Sequence, residues 1–141
     1  MSFNPVLLPL LCMVFLTFAV WVYLFALRIP EISRRKINPD KLRDRAEAHK
    51  LLPDSAAASN NLKNLFELPI LFYLAAMLAM LLLIQDSLLV LLAWGFVVTR
   101  VIHSLIHCTY NRVMHRFFAY FLSCLFLLLI WIRLATYILL N

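Results

Sequence analysis

The chain has 141 residues, of which 65% are hydrophobic, 14% are charged and only one is a glycine. This composition lies well outside the range of soluble globular domains and indicates an integral membrane protein. The formal net charge is +6. Because we expect no soluble domain that could dock a duplex, we attribute this charge to the membrane surface or to an anionic ligand, and we exclude nucleic-acid binding.

Four apolar runs, taken in chain order, predict four membrane-spanning helices. They cover about residues 5–27, 62–84, 87–107 and 116–140, and each is close to the ~20 residues that cross a hydrocarbon core as a helix. None of the runs alternates with the two-residue period of a barrel strand. We therefore expect a single domain over residues 1–141, an all-α up-down bundle of four transmembrane helices.

The first loop, residues 28–58, is polar and mixed in charge. Its NPD segment at residues 38–40 is typical of a helix start with proline in the first turn, and it predicts a short helix over about residues 39–50. The PDS segment at residues 53–55 is a second start signal. It predicts that the helix carrying the second span begins near Ala56, well before its apolar part.

The basic residues predict the orientation of the chain. Nine of the thirteen lysines and arginines lie between Arg28 and Lys63, and Arg112 and Arg116 follow the third span. Short loops that are rich in lysine and arginine remain in the cytoplasm. We therefore expect both basic loops to be cytoplasmic and both termini to lie on the other side of the membrane.

The second span opens with polar residues. Asn64 and Glu67 are one helical turn apart, and Pro69 follows. Proline cannot donate a hydrogen bond to the carbonyl of Leu65, so we expect a bend near Glu67. An ionisable group inside a span is costly unless it is paired or solvated, which makes Glu67 a candidate for function.

The third span carries three polar residues on one helix face, Arg100, His103 and His107. At a rise of ~1.5 Å per residue, Arg100 lies roughly 10 Å below the cytoplasmic end of its helix. Glu67 lies at a comparable depth in the second span, so we expect the two charges to meet. Asn64 and His103 would complete the hydrogen bonds of the pair.

Three interpretations of this polar group remain open. It is a buried ion pair that fixes the helix register, or it is part of a ligand site. The weaker third interpretation makes His103, His107 and Glu67 metal ligands. It lacks a third histidine and a HExxH motif, and we expect no metal.

Two arginines mark the entrance to the fourth span, and one marks its far end. Arg112 and Arg116 either anchor the helix at the membrane surface or bind an anion, and a helix amino terminus already favours an anion at Arg116. An anion or thiolate site at Arg116 is therefore a candidate. Arg133, near the far end, is interpreted as extending to the interface.

The order of these motifs resembles a known family. Four spans in about this length, a long basic first loop, N-x-x-E followed by proline, and R-x-x-H-x-x-x-[YH]-x-x-x-x-R-x-x-x-R are similar to the membrane-associated proteins in eicosanoid and glutathione metabolism, the MAPEG family. The resemblance implies a homotrimer with glutathione bound between neighbouring subunits on the cytoplasmic side. It implies a bacterial-type member, which we expect in the bacterial inner membrane.

The resemblance also assigns roles to individual residues. It implies that Arg116 stabilises the glutathione thiolate, with His107 beside it where relatives commonly have tyrosine. Asn60 occupies the position of an arginine that is expected to bind a glutathione carboxylate. The implied glutathione-binding residues are Asn64, Glu67, Arg100, His103, Arg112, Asn60 and a first-loop arginine, which is Arg28 or Arg34.

Two functions of different classes follow. The first is a membrane-bound glutathione transferase or peroxidase that acts on lipophilic electrophiles, in which the thiolate attacks a substrate dissolved in the bilayer. The second is a non-catalytic trimeric membrane protein that binds an anionic lipid or another ligand, with a purely structural polar cluster. Asn60 and His107 are the residues that favour the second function.

Overall fold

The computed structural model describes residues 4–140 of the chain, and in that part it contains helices and turns but no strand. The six α-helices are α1 (Leu7–Arg35), α2 (Arg45–Leu51), α3 (Pro53–Leu65), α4 (Leu68–Leu81), α5 (Ser87–Cys108) and α6 (Val113–Leu140). A single 3₁₀ turn, Pro39–Leu42, precedes α2.

Four spans in this part of the chain are long and apolar enough to cross a membrane. They are α1, the pair α3 and α4 taken together, α5, and α6. Their connections run up and down along the bundle, so the predicted all-α four-span architecture is confirmed. Loops 36–52 and 109–112 lie at the same end of the bundle, which we call the basic end.

The second span is interrupted where the proline predicts a bend. The backbone of Glu67 has φ −100° and ψ −98°, outside the helical region, and it separates α3 from α4. Pro69 lies in the first turn of α4 and leaves the carbonyl of Leu65 without its usual donor. The predicted bend is therefore a complete break between two helices.

A buried carboxylate joins the first two spans at the basic end. Glu31 is 2% exposed, and its two oxygens accept the backbone N–H groups of Asp54 at 2.9 Å and Ser55 at 3.0 Å. The Nε atom of Arg35 donates to the same carboxylate at 3.1 Å. Glu31 thus satisfies two free donors at the start of α3, which begins at Pro53 rather than near Ala56.

The loop between these spans differs in detail from its prediction. α1 continues past Pro30 to Arg35, beyond its apolar part, and ends where Lys36 adopts the left-handed region. The predicted helix over residues 39–50 is present as a 3₁₀ turn followed by α2. Asn38 caps the turn as expected, because its side chain accepts the backbone N–H of Asp40 at 3.0 Å.

Small and aromatic side chains pack the middle of the bundle. The rings of Phe72 and Phe96 stack with their centroids 4.7 Å apart and join α4 to α5. Gly95 allows α5 and α6 to approach closely, since a Cβ atom at this position would lie 2.4 Å from the ring of Phe126. Apolar packing therefore holds the spans together at this depth.

At the end opposite the basic end, Asp86 both caps α5 and binds α6. Its carboxylate accepts the backbone N–H of Leu88 at 3.0 Å and also contacts Arg133. The hydrogen bond from Arg133 holds the pKa of Asp86 below its ordinary value. Arg133 does reach the end of the span, and there it pairs with a carboxylate.

Candidate functional site

A polar cavity of about 380 Å³ opens at the basic end between α3, α5 and α6. Five of the residues predicted for the site line it together. They are Asn60 and Asn64 from α3, His103 and His107 from α5, and Arg116 from α6. Helical spacing grouped His103 with His107, and the family resemblance added the other three residues. The packing of three helices brings all five together.

The turn between α5 and α6 orients Arg116. Asn111 adopts the left-handed region with φ 47°, which asparagine tolerates better than most residues. Its Oδ1 accepts a hydrogen bond from Nη1 of Arg116 at 2.8 Å. The same Nη1 lies 3.4 Å from Nε2 of His107, and because a guanidinium only donates, that ring nitrogen accepts.

His103 is fixed by the main chain of α6. Its Nδ1 lies 3.1 Å from the backbone carbonyl oxygen of Arg116, and because a carbonyl only accepts, Nδ1 donates. The rings of His107 and Tyr120 lie 5.6 and 5.7 Å from the ring of His103. Nε2 of His103 and Nδ1 of His107 are buried without a partner among residues 4–140.

Arg100 lies behind the cavity and is fully buried, with 0% of its surface exposed. Its Nη2 donates to the backbone carbonyl of Asn64 at 2.8 Å, and its guanidinium lies 5.3 Å from the ring centroid of Tyr120. Nε and Nη1 have no partner in the described part of the chain. A buried cation without a counter-charge is costly, so this position calls for an anion.

The predicted pairing of Glu67 with Arg100 is wrong. The side chain of Glu67 is 46% exposed, and its carboxylate lies 3.7 Å from Nζ of Lys63. Asn64 and Glu67 share a face only in a continuous helix, and the break before α4 removes that relationship. Asn64 therefore lines the cavity, and Glu67 does not.

Two predicted arginines also lie elsewhere. Arg112 is exposed in the turn before α6 and does not line the polar cavity. Arg28 lies on α1 and lines a separate cavity on the other side of α3. Within one chain these residues are apart from the site, and their contact with glutathione remains a prediction.

Several residues near the site were not predicted from the sequence. Lys63 and Tyr120 line the cavity, and each lies one helical turn from a predicted residue, Asn60 and Arg116, so helical spacing could have identified them. No group of three histidine, cysteine or acidic residues in the described part of the chain is arranged to hold a metal ion.

Asn61 is a further residue that the sequence analysis missed. It is fully buried next to the exposed Asn60. Its Oδ1 accepts from the Ser104 hydroxyl at 3.2 Å, and its Nδ2 donates to the sulfur of Cys108 at 3.3 Å. This amide connects α3 to α5 just behind the polar cavity and holds two walls of the cavity together.

The fold and the cavity define an integral, multi-pass helical membrane protein with a cationic polar site at one end of its bundle. The model of the MAPEG family matches residues 6–136 of the chain. The chain therefore belongs to the MAPEG family, as its motifs indicated. No curated protein and no solved structure matches it.

Proposed function

We propose that this protein is a membrane-bound, glutathione-dependent transferase or peroxidase. The observation that carries the proposal is the set of unmade hydrogen bonds around the polar cavity. Four buried nitrogen atoms, on Arg100, His103 and His107, have no partner among the described residues. Native proteins leave few such atoms unsatisfied, so this grouping indicates a ligand.

The chemistry of these atoms suits glutathione. The free guanidinium nitrogens of Arg100 are donors that match a carboxylate. Nε2 of His103 accepts in the neutral ring, because Nδ1 carries the hydrogen that binds Arg116, and it therefore matches an amide N–H. Glutathione offers carboxylates and amide N–H groups on one small peptide, whereas a simple anion would leave the His103 acceptor unmatched.

Arg116 is the residue that we propose for the thiolate. It lies in the first turn of α6, where the helix dipole also favours an anion, and it lines the cavity next to His107. A thiolate held there would form a bond to an electrophilic carbon and displace the leaving group with its electron pair. With a peroxide it would attack one oxygen and release the alkoxide, which takes up a proton.

The membrane setting supports a lipophilic substrate and a homotrimer. The cavity is bounded by membrane-spanning helices, and we propose that a substrate dissolved in the bilayer reaches it between them. Glu67 and Arg112 are exposed and do not line the cavity of their own chain. In a homotrimer with glutathione between subunits they would be available to the cavity of a neighbour.

Purified full-length protein tests the proposal. We expect millimolar glutathione to raise the unfolding temperature and ultraviolet difference absorption to show bound thiolate. Arg116→Ala should abolish the thiolate signal, and Arg116→Lys should restore part of it. Absence of any stabilisation by glutathione in the wild type, or a thiolate signal that survives in Arg116→Ala, would contradict the proposal.

The second candidate function is a non-catalytic trimeric protein that binds an anionic lipid or another ligand. Asn60 favours it, because it stands in the cavity wall where the family resemblance leads us to expect an arginine. In that case the polar cluster is structural. Removal of the Arg100 side chain would then lower the unfolding temperature of the protein without ligand. The change in unfolding temperature on addition of glutathione would be the same in this variant and in the wild type.

A further inference from the structure

Few groups in the polar cavity can accept a proton. Lysine and arginine are cations at neutral pH and tyrosine is a neutral phenol, so Lys63, Arg116 and Tyr120 offer no free basic site there. No carboxylate of the described chain lines the cavity. The acceptors that remain are the imidazoles of His103 and His107. A thiol that loses its proton in this cavity therefore has these two rings as the available bases of its own chain.

His107 is the ring that contacts the Arg116 guanidinium. Nη1 of Arg116 lies 3.4 Å from Nε2 of His107, and Nε2 accepts because a guanidinium only donates. In His103 the contact with Arg116 runs instead from Nδ1 to the main-chain carbonyl, at 3.1 Å. Because the two side-chain nitrogens lie so close, a sulfur atom bound at Nη1 is within reach of the lone pair on Nε2.

Burial helps to keep a proton on this ring. His107 is 2% exposed, so water has little access to its nitrogens, although the ring lines the cavity. When a thiol transfers its proton to Nε2, the thiolate lies between two cations, the Arg116 guanidinium and the imidazolium. Opposite charges attract strongly away from bulk water, and the same arrangement activates a cysteine beside a histidine. We therefore expect the proton to stay in the cavity.

The residue type at this position decides whether a proton can be carried. The family commonly has tyrosine where this chain has His107. A phenol, with an ordinary pKa of ~10, does not accept a proton at neutral pH, whereas an imidazole, with an ordinary pKa of ~6.5, both accepts and donates one. The departure from the family pattern therefore replaces a hydrogen-bond donor by a group that can carry a proton.

We propose that His107 is the proton carrier of the reaction, and that its substrates are organic hydroperoxides and epoxides. Nε2 accepts the thiol proton and returns it to the alkoxide that both kinds of substrate produce. This inference rests on the proposed function, because it requires a glutathione thiolate at Arg116. An aryl or alkyl halide has no such need, because its halide leaves as an anion and takes no proton.

The proton, bond and electron changes balance for both substrates. His107 takes the proton as the S–H bond breaks, and the electron pair stays on the sulfur. With a hydroperoxide an S–O bond forms while the O–O bond breaks, and the alkoxide takes the proton from Nε2 and leaves as the alcohol. The sulfur loses two electrons and the peroxide gains them, and a second glutathione thiol then forms the disulfide and releases water. With an epoxide a C–S bond replaces a C–O bond, and the same proton completes the alcohol.

Proton release on glutathione binding tests the proposal in the full-length protein without turnover. A pH indicator in weakly buffered solution counts the protons, and ultraviolet difference absorption counts the thiolates. S-methylglutathione, which has no thiol proton, gives the background. We expect the wild type to release well below one proton per thiolate. His107→Gln and His107→Tyr, which keep Arg116, should each release about one.

His115→Gln is the matched control. It removes an exposed imidazole at the same end of the bundle, and His115 does not line the polar cavity. Its proton count per thiolate should equal that of the wild type.

Turnover of three substrates gives a second measurement. Cumene hydroperoxide and styrene oxide each produce an alkoxide, and chlorodinitrobenzene releases chloride. Loss of a positioned proton donor costs about 100-fold in rate, so His107→Gln should lower kcat for the first two substrates about 100-fold more than for the third. A merely structural role of His107 would lower all three alike.

The outcomes separate this proposal from the proposed function. Equal proton release by the wild type and His107→Gln, or an equal loss of kcat with all three substrates, would overturn the role of His107, while a thiolate signal in the wild type would still support a glutathione site. A wild type that forms no thiolate would overturn both.

Discussion

Arg116 and His103 are joined through the main chain, because Nδ1 of His103 donates to the backbone carbonyl of Arg116 at 3.1 Å. Arg116 therefore fixes the neighbouring imidazole through its main chain, without using its side chain. Replacement of the Arg116 side chain leaves this bond available. For that reason Arg116→Ala removes the guanidinium from the cavity while it keeps the main-chain bond between α5 and α6.

Arg100→Met should separate ligand binding from structure. Because two nitrogens of this fully buried guanidinium lack partners, an apolar side chain of similar length should leave the empty protein as stable as the wild type or more stable. Glutathione at ten times its Kd should stabilise the wild type by about 1.4 kcal/mol and the variant by nothing. Thermal unfolding with and without glutathione measures both effects. A large loss of stability in the empty variant would instead indicate a structural cluster.

Asn60→Arg should strengthen glutathione binding. Asn60 lines the cavity but is exposed, so an arginine at this position can place its charge at the mouth without burial. We expect the Kd for glutathione to fall about fivefold, as for one favourable exposed ion pair. Asn60→Met is the control, because it shares the gain in helix propensity and adds no charge. Equal affinities of the two variants, measured by calorimetry, would show that this position does not contact the ligand.

Glu31→Gln should weaken the junction between the first two spans. The amide would present N–H donors where Asp54 and Ser55 already donate, so a buried donor would lose its acceptor. We expect a loss of about 2 kcal/mol in unfolding free energy. Glu47→Gln, at an exposed pair with Lys50, should cost less than about 0.5 kcal/mol. Thermal unfolding in detergent compares the two, and similar losses would argue against the junction.

Asp86→Asn should produce a pH-dependent loss of stability at the end opposite the basic end. Since Arg133 lowers the pKa of Asp86 from its ordinary 3.8, the stabilisation is complete above about pH 4 and is lost as the pH falls through the lowered value. The variant should therefore be less stable at pH 7, and the difference should shrink below about pH 3.8.

Asp44→Asn is the control for this experiment, because Asp44 also caps a helix through the backbone N–H of Glu47 and has no ion pair with an arginine in the described chain. In both positions asparagine can still act as the cap. Unfolding temperatures measured from pH 7 to pH 3 report the difference. If the two variants give the same profile, the Asp86–Arg133 pair adds nothing beyond capping.

Hydropathy and helix spacing were sufficient to predict the four spans and most of the cavity. Length and apolar content define a span, and residues three or four apart share a face, so His103 and His107 could be assigned to one face of the third span. The helix amino terminus and the family resemblance added Arg116. Pro69 marked the position of the break. These features depend on local chemistry, which the sequence expresses directly.

The remaining features depend on contacts between distant segments. Glu31 looked like one more charge in a polar loop, and only the approach of α3 makes it a buried acceptor. Asn61 gave no signal because its neighbour Asn60 is equally polar, and helix packing decides which of the two is buried. The predicted position of Glu67 was wrong because the helix breaks at this residue. A break rotates the following side chains about the helix axis by an angle that helical periodicity does not specify.

The contact of Glu31 with the start of α3 has a consequence for how the first loop can vary. Residues 36–52 connect the end of α1 to the start of α3. Because the carboxylate of Glu31 already binds the start of α3, the relative position of the two spans does not depend on the loop. Doubling the length of such a closed loop costs only about 0.6 kcal/mol in chain entropy. This segment can therefore be exchanged or lengthened while the transmembrane bundle stays as it is.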